Sequence, residues 1–239
     1  MKLQGFVGKG TGKLGASVWV VRKGEQIVRE YTDKVTNPNT PAQVGQRAKF
    51  KLLTQLAAVV AGDGMFFRTL NPGESMRNAF MRANMGAVTL APTGDVALLN
   101  VSAVALTDGH TTAPAATFNR TSGVLTVDVS AAAMSDIIGV GYAVITLPST
   151  GRIIGYSARA EKADAATTIT ATIIAPSAMM NVTNVLVWGY RFADEAARAR
   201  YESIVASETT DVIALEFNRM LREGLVEPTQ TIVANPTQA

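Results

Sequence analysis

Seven short β-type runs between residues 87 and 192 constrain the fold of this chain more than any other feature. They are "AVTLAP", "DVALLNVSAVAL", "GVLTVDVS", "IGVGYAVITL", "GRIIGYSA", "TTITATIIA" and "TNVLVWGYRF", and clusters of Gly, Asp, Ser, Thr and Pro separate them. The run "GVLTVDVS" alternates cleanly, with Leu125, Val127 and Val129 on one side. Because several short strands at this spacing are typical of a sandwich, we predict an antiparallel β-sandwich-like domain over 87–193.

A β-hairpin is predicted ahead of this domain. The segments "ASVWVV" and "QIVREY" are rich in β-branched and aromatic residues and flank "RKGE", which is a hairpin pattern. Alternation along the first strand places Val18, Val20 and Arg22 on one face, and Trp19 and Val21 on the other. The first 15 residues contain five glycines and three lysines, so we predict an extended, pliable arm there.

A capped helix is predicted after the hairpin. Thr40, Pro41 and Gln43 match a capping box with Thr40 as the N-cap and proline at the first helical position. The helix is expected to run from Pro41 to about Ala61 and to end at Gly62.

Two further helices follow the same logic. The sequence "NPGE" at 71–74 predicts a helix that reaches about Asn84 and ends at Gly86. Thr210 is expected to cap "DVIALEFNRMLRE", which Gly224 terminates. The tail "PTQTIVANPTQA" is polar and contains proline, so it is predicted to be extended.

The predicted fold class is therefore α+β. It consists of an N-terminal β-hairpin plus two helices, an antiparallel β-sandwich-like domain and a C-terminal helix. The predicted divisions are 1–86 (basic arm, hairpin and helical unit), 87–193 (the sandwich-like domain) and 194–239 (C-terminal helical segment and extended tail).

The basic residues are concentrated near the N-terminus. Residues 1–82 hold 13 Lys/Arg against 5 Asp/Glu, whereas residues 83–239 hold 9 against 14. This asymmetry fits a nucleic-acid face and fits equally well complementary patches between neighbouring subunits. The candidate nucleic-acid or partner-binding residues are Lys9, Lys13, Arg22, Lys23, Arg29, Arg47 and Lys51. Phe6, Trp19 and Tyr31 are candidates for stacking on bases, although filling the hairpin core is the favoured interpretation.

Helical geometry divides the basic cluster of the first helix. At 100° per residue, Arg47 and Lys51 share a narrow polar strip, while Lys49 falls inside an apolar arc that Phe50 extends. An apolar arc over about two-thirds of the circumference predicts a packing helix that is contacted on more than one side, within a subunit or between subunits. Lys49 is then expected to snorkel or to meet a partner.

Motifs for enzyme chemistry fail on inspection. Gly10, Gly12 and Gly15 spell G-x-G-x-x-G, but a hairpin follows them instead of a βα unit, and Val7 and Leu14 occupy positions that a Walker A loop reserves for other residues. With a single histidine and no cysteine, the usual metal sites and nucleophilic triads cannot be built. We therefore expect no enzyme activity, no metal and no cofactor.

Two remaining charged features have plain structural interpretations. His110 lies in a segment with loop composition, and Asp194 with Glu195 suits the start of an exposed helix. No run of about 18 apolar residues occurs, and no apolar run follows the N-terminal lysine. We therefore expect neither a membrane span nor a signal peptide.

The N-terminal 50 residues carry a recognisable order of features. A Gly/Lys-rich segment and aromatic hairpin, "GKGTGKLGASVWVVRKGEQIVRE", precede the element "NPNTPAQVGQRAKF". The element carries Asn37, Pro38, Thr40, Gln43, Gln46, Arg47 and Phe50. This order resembles an uncharacterised family of bacterial and phage proteins, and "VLVWGYRF" resembles that family's C-terminal strand. The resemblance implies a small non-enzymatic protein linked to phages or mobile elements, and the last 35 residues depart from the family.

The sequence leaves two candidate functions. The first is a structural virion protein of a phage (capsid, tail or minor component) that assembles through its terminal arms and β body. Its expected partners are copies of itself and other virion proteins, and its expected locations are the virion and, before assembly, the host cytoplasm. The low charge content of 17% and the absence of catalytic motifs favour it. The alternative is a nucleic-acid-binding protein that holds DNA or RNA with residues 1–51.

Overall fold

The fold is α+β, as predicted. The computed structural model describes residues 11–22, 24–33, 39–60, 70–129, 136–147, 152–162, 167–174, 180–181 and 183–237. Helices account for 33% of the structure and antiparallel sheets for 38%. The chain divides into two compact units, Met1–Gln43 and Val44–Ala239, and each is described by itself. The boundaries at residues 86 and 193 stay a prediction.

The first unit contains a three-stranded antiparallel sheet. Its strands are β1 (Gly12–Leu14), β2 (Ser17–Arg22) and β3 (Glu25–Glu30), in the order β1-β2-β3. The hairpin of β2 and β3 confirms the prediction. Strand β1 corrects it, because residues 12–14 were assigned to a pliable arm. Gly15, at φ 58°, makes the tight turn that lets the chain fold back onto β2.

The second unit contains the remaining strands and most of the helical residues. The strands are β4 (Val88–Leu90), β5 (Ala97–Leu99), β6 (Ala115–Asn119), β7 (Val124–Asp128), β8 (Ile137–Thr146), β9 (Ile154–Glu161), β10 (Thr168–Thr172), β11 (Thr183–Phe192), β12 (Val226–Pro228), β13 (Ile232–Val233) and β14 (Asn235–Thr237). The helices are α1 (Pro41–Val59, which begins in the first unit), α2 (Met76–Asn84), α3 (Glu195–Ser207) and α4 (Thr210–Glu223).

Two sheets form the β body. One has the order β10-β7-β6-β14, and the other has the order β12-β11-β8-β9, with β13 also pairing with β11. Each of the seven predicted runs contains a strand. The tail is extended as predicted, but it pairs within its own chain, because β12 and β13 join β11, and β14 runs parallel to β6.

The central strands β8 and β11 are buried along almost their whole length. One face of their sheet packs against the β6-β7-β10 sheet through Phe118, Leu125, Val144 and Val187. Residues that contribute to the core on the other face are Ile145, Leu186 and Trp188 from the sheet, with Leu53 and Leu56 from α1, Phe80 from α2 and Phe217 from α4. A strand with two buried faces reads as a continuous apolar run instead of an alternating one, which explains "IGVGYAVITL" and "TNVLVWGYRF".

The helix ends agree only in part with the sequence predictions. Thr40 Oγ1 accepts a hydrogen bond from the Gln43 N–H at 3.4 Å, so the predicted N-cap of α1 is confirmed. The reciprocal bond of the capping box is absent, because Gln43 Oε1 has no hydrogen-bond partner among the described residues. The predicted end of α1 at Ala61 lies outside the described residues. The start of α2 was wrong. Glu74 accepts the Asn71 N–H at 3.0 Å in a preceding turn, and Ser75 is the N-cap.

The predicted ends of the C-terminal helices are closer to the structure. Asp194 caps α3 by accepting the Ala197 N–H at 2.8 Å. Helix α4 begins at Thr210, one residue after its N-cap Thr209, so the predicted cap at Thr210 was wrong by one position. It ends at Gly224 with φ 77°, as predicted.

Gly141 gives a direct test of the central layer. It lies opposite Trp188 in the β8–β11 register, and a Cβ at this position would overlap the fully buried indole ring. We expect Gly141→Ala to destabilise the protein by about 1–3 kcal/mol, the usual cost of overpacking, as measured by urea unfolding.

The matched control is Gly86→Ala. No atom lies within 4 Å of a Cβ built at Gly86, so this change should alter the free energy of unfolding by less than about 1 kcal/mol. Equal effects of the two substitutions would contradict the close packing of Trp188 on Gly141.

Candidate interaction surfaces

Three of the candidate basic residues lie on one face of the N-terminal sheet. Val18 is opposite Lys13 on β1 and opposite Arg29 on β3, and directly opposed residues point to the same side of a sheet. Arg22 shares that side because it lies four residues beyond Val18 on β2. This surface, defined by Lys13, Arg22 and Arg29, is called the hairpin face.

The hairpin face also carries exposed apolar side chains. Val20 and Ile27 pair across β2 and β3 and are 37% and 39% exposed. Tyr31 is 37% exposed, and the Lys13 Nζ lies 3.5 Å from the centroid of its ring. Trp19 belongs to the opposite side of the sheet, so Tyr31 is the aromatic residue described on this face.

The other candidate basic residues are distributed differently. Lys9 and Lys23 lie outside the described residues. Arg47 and Lys51 are exposed on α1, while Lys49 is half-buried, as the helical geometry predicted. Phe50, which extends the apolar arc of α1, is 45% exposed, so contact on that side between subunits stays a prediction.

Phe50 lines a groove between α1 and α2. The groove has a volume of about 420 Å³, and its lining includes Thr54, Met81 and Met85, with Arg77 at its edge. Two methionines and a phenylalanine give it an apolar, adaptable floor. The sequence analysis missed this site because α1 and α2 form it together.

Basic residues surround this α1–α2 groove. Arg47 precedes Phe50 by three residues and Lys51 precedes Thr54 by three, so both cations lie on the helix face that borders the groove. Arg82 also lines it and donates hydrogen bonds to Glu74 at 3.1 and 3.2 Å. Those bonds lower the pKa of the Glu74 carboxyl and raise the pKa of Arg82.

Helices α3 and α4 form a pair whose outer end is poorly covered. No residue from 198 to 216 is buried. Val205, Val212 and Leu215 in this stretch are 47%, 40% and 70% exposed. Isolated helices of this length are only marginally stable in water, so contacts at their inner end must hold the pair in place.

Those inner contacts are ionic and aromatic. Arg200 on α3 donates hydrogen bonds to Glu216 and, at 3.0 Å, to Glu223 on α4. Arg219 also bonds Glu223, at 2.8 Å, and these two arginines lower the pKa of the Glu223 carboxyl. The Tyr201 and Phe217 rings meet edge to face with centroids 6.0 Å apart.

A polar pocket of about 460 Å³ surrounds the single histidine. His110 lines it with Asp108, Arg191 and Glu227. Arg191 Nη2 lies 3.4 Å from Glu227 Oε2, and Nη1 lies 3.8 Å from Asp136 Oδ2. Two carboxylates therefore compensate the one guanidinium, so Arg191 offers little surplus charge for binding an anion.

Strand β10 forms one edge of its sheet, and β7 is its only partner among the described strands. The Thr167 carbonyl accepts from the Val129 N–H at 2.8 Å, and the Ile173 N–H donates to the Gly123 carbonyl at 2.5 Å. Odd-numbered residues therefore bond to β7, and alternation turns the backbone groups of the even-numbered residues towards the open edge. Those residues are Thr168, Thr170 and Thr172.

The β10 edge has a hydrogen bond to the other sheet, and the sequence of the strand lacks charged residues and proline. At one end the Ile174 N–H donates to the Tyr156 hydroxyl at 2.9 Å. Between residues 165 and 175 the sequence "AATTITATIIA" contains no charge and no proline. Charged residues and prolines are the usual protection of an edge strand against pairing with another chain, and the sequence of β10 contains neither.

Comparisons with known proteins do not add to this description. No family model, no curated protein and no solved structure matches the chain. Within the described ranges, no helix is long and apolar enough to cross a membrane. No group of three or more His, Asp or Glu side chains among the same residues could hold a metal ion.

Proposed function

We propose that this protein is a structural component of a phage virion, namely a capsid, tail or minor virion protein, that works as an assembly of many copies. Its partners are then other copies of itself and neighbouring virion proteins. It functions in the particle, after residence in the host cytoplasm before assembly.

The observation that carries this proposal is the unprotected β10 edge. Thr168, Thr170 and Thr172 present backbone donors and acceptors to the outside, and four of the five residues of the strand are β-branched, with high β propensity. An edge of this kind is a template for pairing with another chain. In a protein that works in an assembly, the same edge is an interface.

The sequence of β10 suits pairing with a second β10. Its five residues read Thr-Ile-Thr-Ala-Thr, which is nearly symmetric about Thr170. Antiparallel pairing centred there places Ile169 opposite Ala171 of the second copy, and threonine opposite threonine on the outer face. Such an isologous contact, in which a patch meets itself, is the commonest way in which identical chains associate.

The arms contribute less to the proposal than the β body does. Residues 1–10 lie outside the described part of the chain. Residues 226–237 pair within their own chain through β12, β13 and β14. The β body and the exposed helical surfaces are therefore the main supports for assembly.

Replacing Thr170 tests this proposal. Proline at Thr170 removes an outward N–H that β7 does not use, so the folded monomer should tolerate it, as edge strands do. We expect wild-type protein to form larger species as its concentration rises in sedimentation velocity, and Thr170→Pro to reduce their formation.

The matched control is Thr170→Val, which keeps the N–H and the β propensity and should assemble like the wild type. Negative-stain images of the purified protein and of source particles give the independent check. The proposal is wrong if the wild-type protein is monomeric at all concentrations and is also absent from native particles.

Nucleic-acid binding is the second candidate, and the hairpin face favours it. Lys13, Arg22 and Arg29 point to one side of a small sheet that also exposes Tyr31. Convergent cations bind phosphates without any special spacing, and an exposed aromatic ring stacks on unpaired bases.

The salt dependence of binding tests this candidate. With a single-stranded oligonucleotide, the triple change Lys13→Gln, Arg22→Gln and Arg29→Gln should lower the slope of log K against log salt by about 2, because three phosphate contacts are lost. Fluorescence anisotropy over a series of salt concentrations measures the slope.

A triple change at Arg152, Lys162 and Arg222 to Gln removes the same charge elsewhere and is the control. Its slope should remain close to the wild-type value. Absence of binding at low salt, or equal slopes for both triple variants, would exclude the hairpin face as a nucleic-acid site.

A further inference from the structure

The uncovered end of the α3–α4 pair is both apolar and acidic. Between residues 201 and 215 the chain has three acidic residues, Glu202, Glu208 and Asp211, and no basic one. Glu202 lies three residues before Val205, and Asp211 four residues before Leu215, so each exposed aliphatic side chain has a carboxylate one turn away. This surface, residues 202–215, is called the helical tip.

The helical tip exposes aliphatic side chains to water, which is energetically unfavourable. Leu215, at 70% exposure, and Val205, at 47%, belong to a stretch in which no residue is fully buried. Exposed aliphatic residues grouped at one end of a structure mark an interaction site more often than scattered ones do. The flanking carboxylates indicate that the partner is positively charged.

The α1–α2 groove has the complementary properties. Phe50, Met81 and Met85 provide apolar surface, and grooves of this kind accept the apolar face of a helix. Arg77 and Arg82 line it, and Arg47 and Lys51 follow on the exposed face of α1. Of these four cations, Arg82 is bonded to Glu74.

We propose that the helical tip of one copy docks into the α1–α2 groove of a second copy. Val212 and Leu215, three residues apart on α4, insert against Phe50 and the two methionines. Glu208 and Asp211 lie against the basic rim of the groove. This inference rests on the proposed self-assembly and names the two surfaces that carry it.

The two surfaces are different, so the contact is head-to-tail. A contact of this type leaves one free tip and one free groove on every pair, and it closes into a ring or continues as a filament. Combined with an isologous contact at β10, it would connect copies in a second direction. Opposite charge on the two surfaces orients the encounter and disfavours tip-to-tip and groove-to-groove contacts.

Complementation between two variants tests the inference. The tip variant carries Glu208→Lys and Leu215→Lys, and the groove variant carries Phe50→Ser and Arg77→Glu. All four positions are exposed, so circular dichroism should show both variants folded. Each variant alone should associate at least about tenfold more weakly than wild type, because central contacts dominate such interfaces.

An equimolar mixture of the two variants gives the decisive result. The tip variant retains a groove and the groove variant retains a tip, so the mixture should form a 1:1 heterodimer that grows no further. Light scattering coupled to size-exclusion chromatography measures its mass. To isolate the helical contact, both variants also carry Thr170→Pro, and the protein with Thr170→Pro alone takes the place of wild type in these comparisons.

Matched controls change the same chemistry elsewhere. Arg152→Glu with Leu98→Ser removes a cation and an exposed aliphatic side chain outside the groove, and it should associate like the wild type. Should the tip variant lose its fold, Asp211→Asn with Leu215→Gln replaces it, with the same expected loss.

The remaining outcomes separate this inference from the proposed function. If wild type associates, Thr170→Pro weakens it, and the tip and groove variants behave like Thr170→Pro alone, tip-to-groove docking is wrong and self-assembly stands. A mixture that stays monomeric also overturns the docking. If wild type is monomeric at every concentration, docking on a second copy is wrong. The presence or absence of the protein in native particles then decides the proposed function.

Discussion

The pairing of β8 with β11 is the contact on which the rest of the second unit depends. Both strands are ten residues long, and both are covered on two faces, by the second sheet on one side and by helices on the other. Trp188 fits only because Gly141 opposite it has no side chain. Without this pair, the helices α1, α2 and α4 would lose the surface that buries their apolar faces.

The same arrangement explains which parts of the molecule are uncovered. The central sheet is covered on both faces, and each helix and the outer sheet contribute one apolar face to that covering. Within the described part of the second unit, the opposite faces of these elements have no further layer packed on them. Phe50 on α1, the first half of α4 and the β10 edge all lie beyond that arrangement. These surfaces are apolar or capable of hydrogen bonding, which is why we propose association as the function.

Much of this fold could be predicted from the sequence, because local patterns dictated it. Alternation at Leu125, Val127 and Val129 identified a one-sided strand, and Thr40 marked the start of α1. Strand β6 was missed because "AATFN" has a single large apolar residue, Phe118. The tail was predicted to be extended, but its pairing with β11 and β6 depends on partners more than thirty residues away.

An interaction surface could be predicted from the sequence only where all of its residues lie on a single helix or strand. Alternation placed Arg22 on a known side of its strand, but Lys13 joined that side only because β1 pairs with β2. The groove around Met81 requires the packing of α1 against α2, which no local pattern encodes. The exposure of Leu215 was equally hidden, since α4 has a normal amphipathic sequence and only its second half reaches the core.

Hydrogen–deuterium exchange of the unmodified protein at low and high concentration tests the central claim most directly. We expect the amides of Thr168, Thr170 and Thr172, together with those of the helical tip and of α2, to exchange more slowly at high concentration, since association covers them. The buried strands β8 and β11 should exchange slowly at both concentrations. Exchange that is independent of concentration at all of these surfaces would contradict the account of a self-assembling protein.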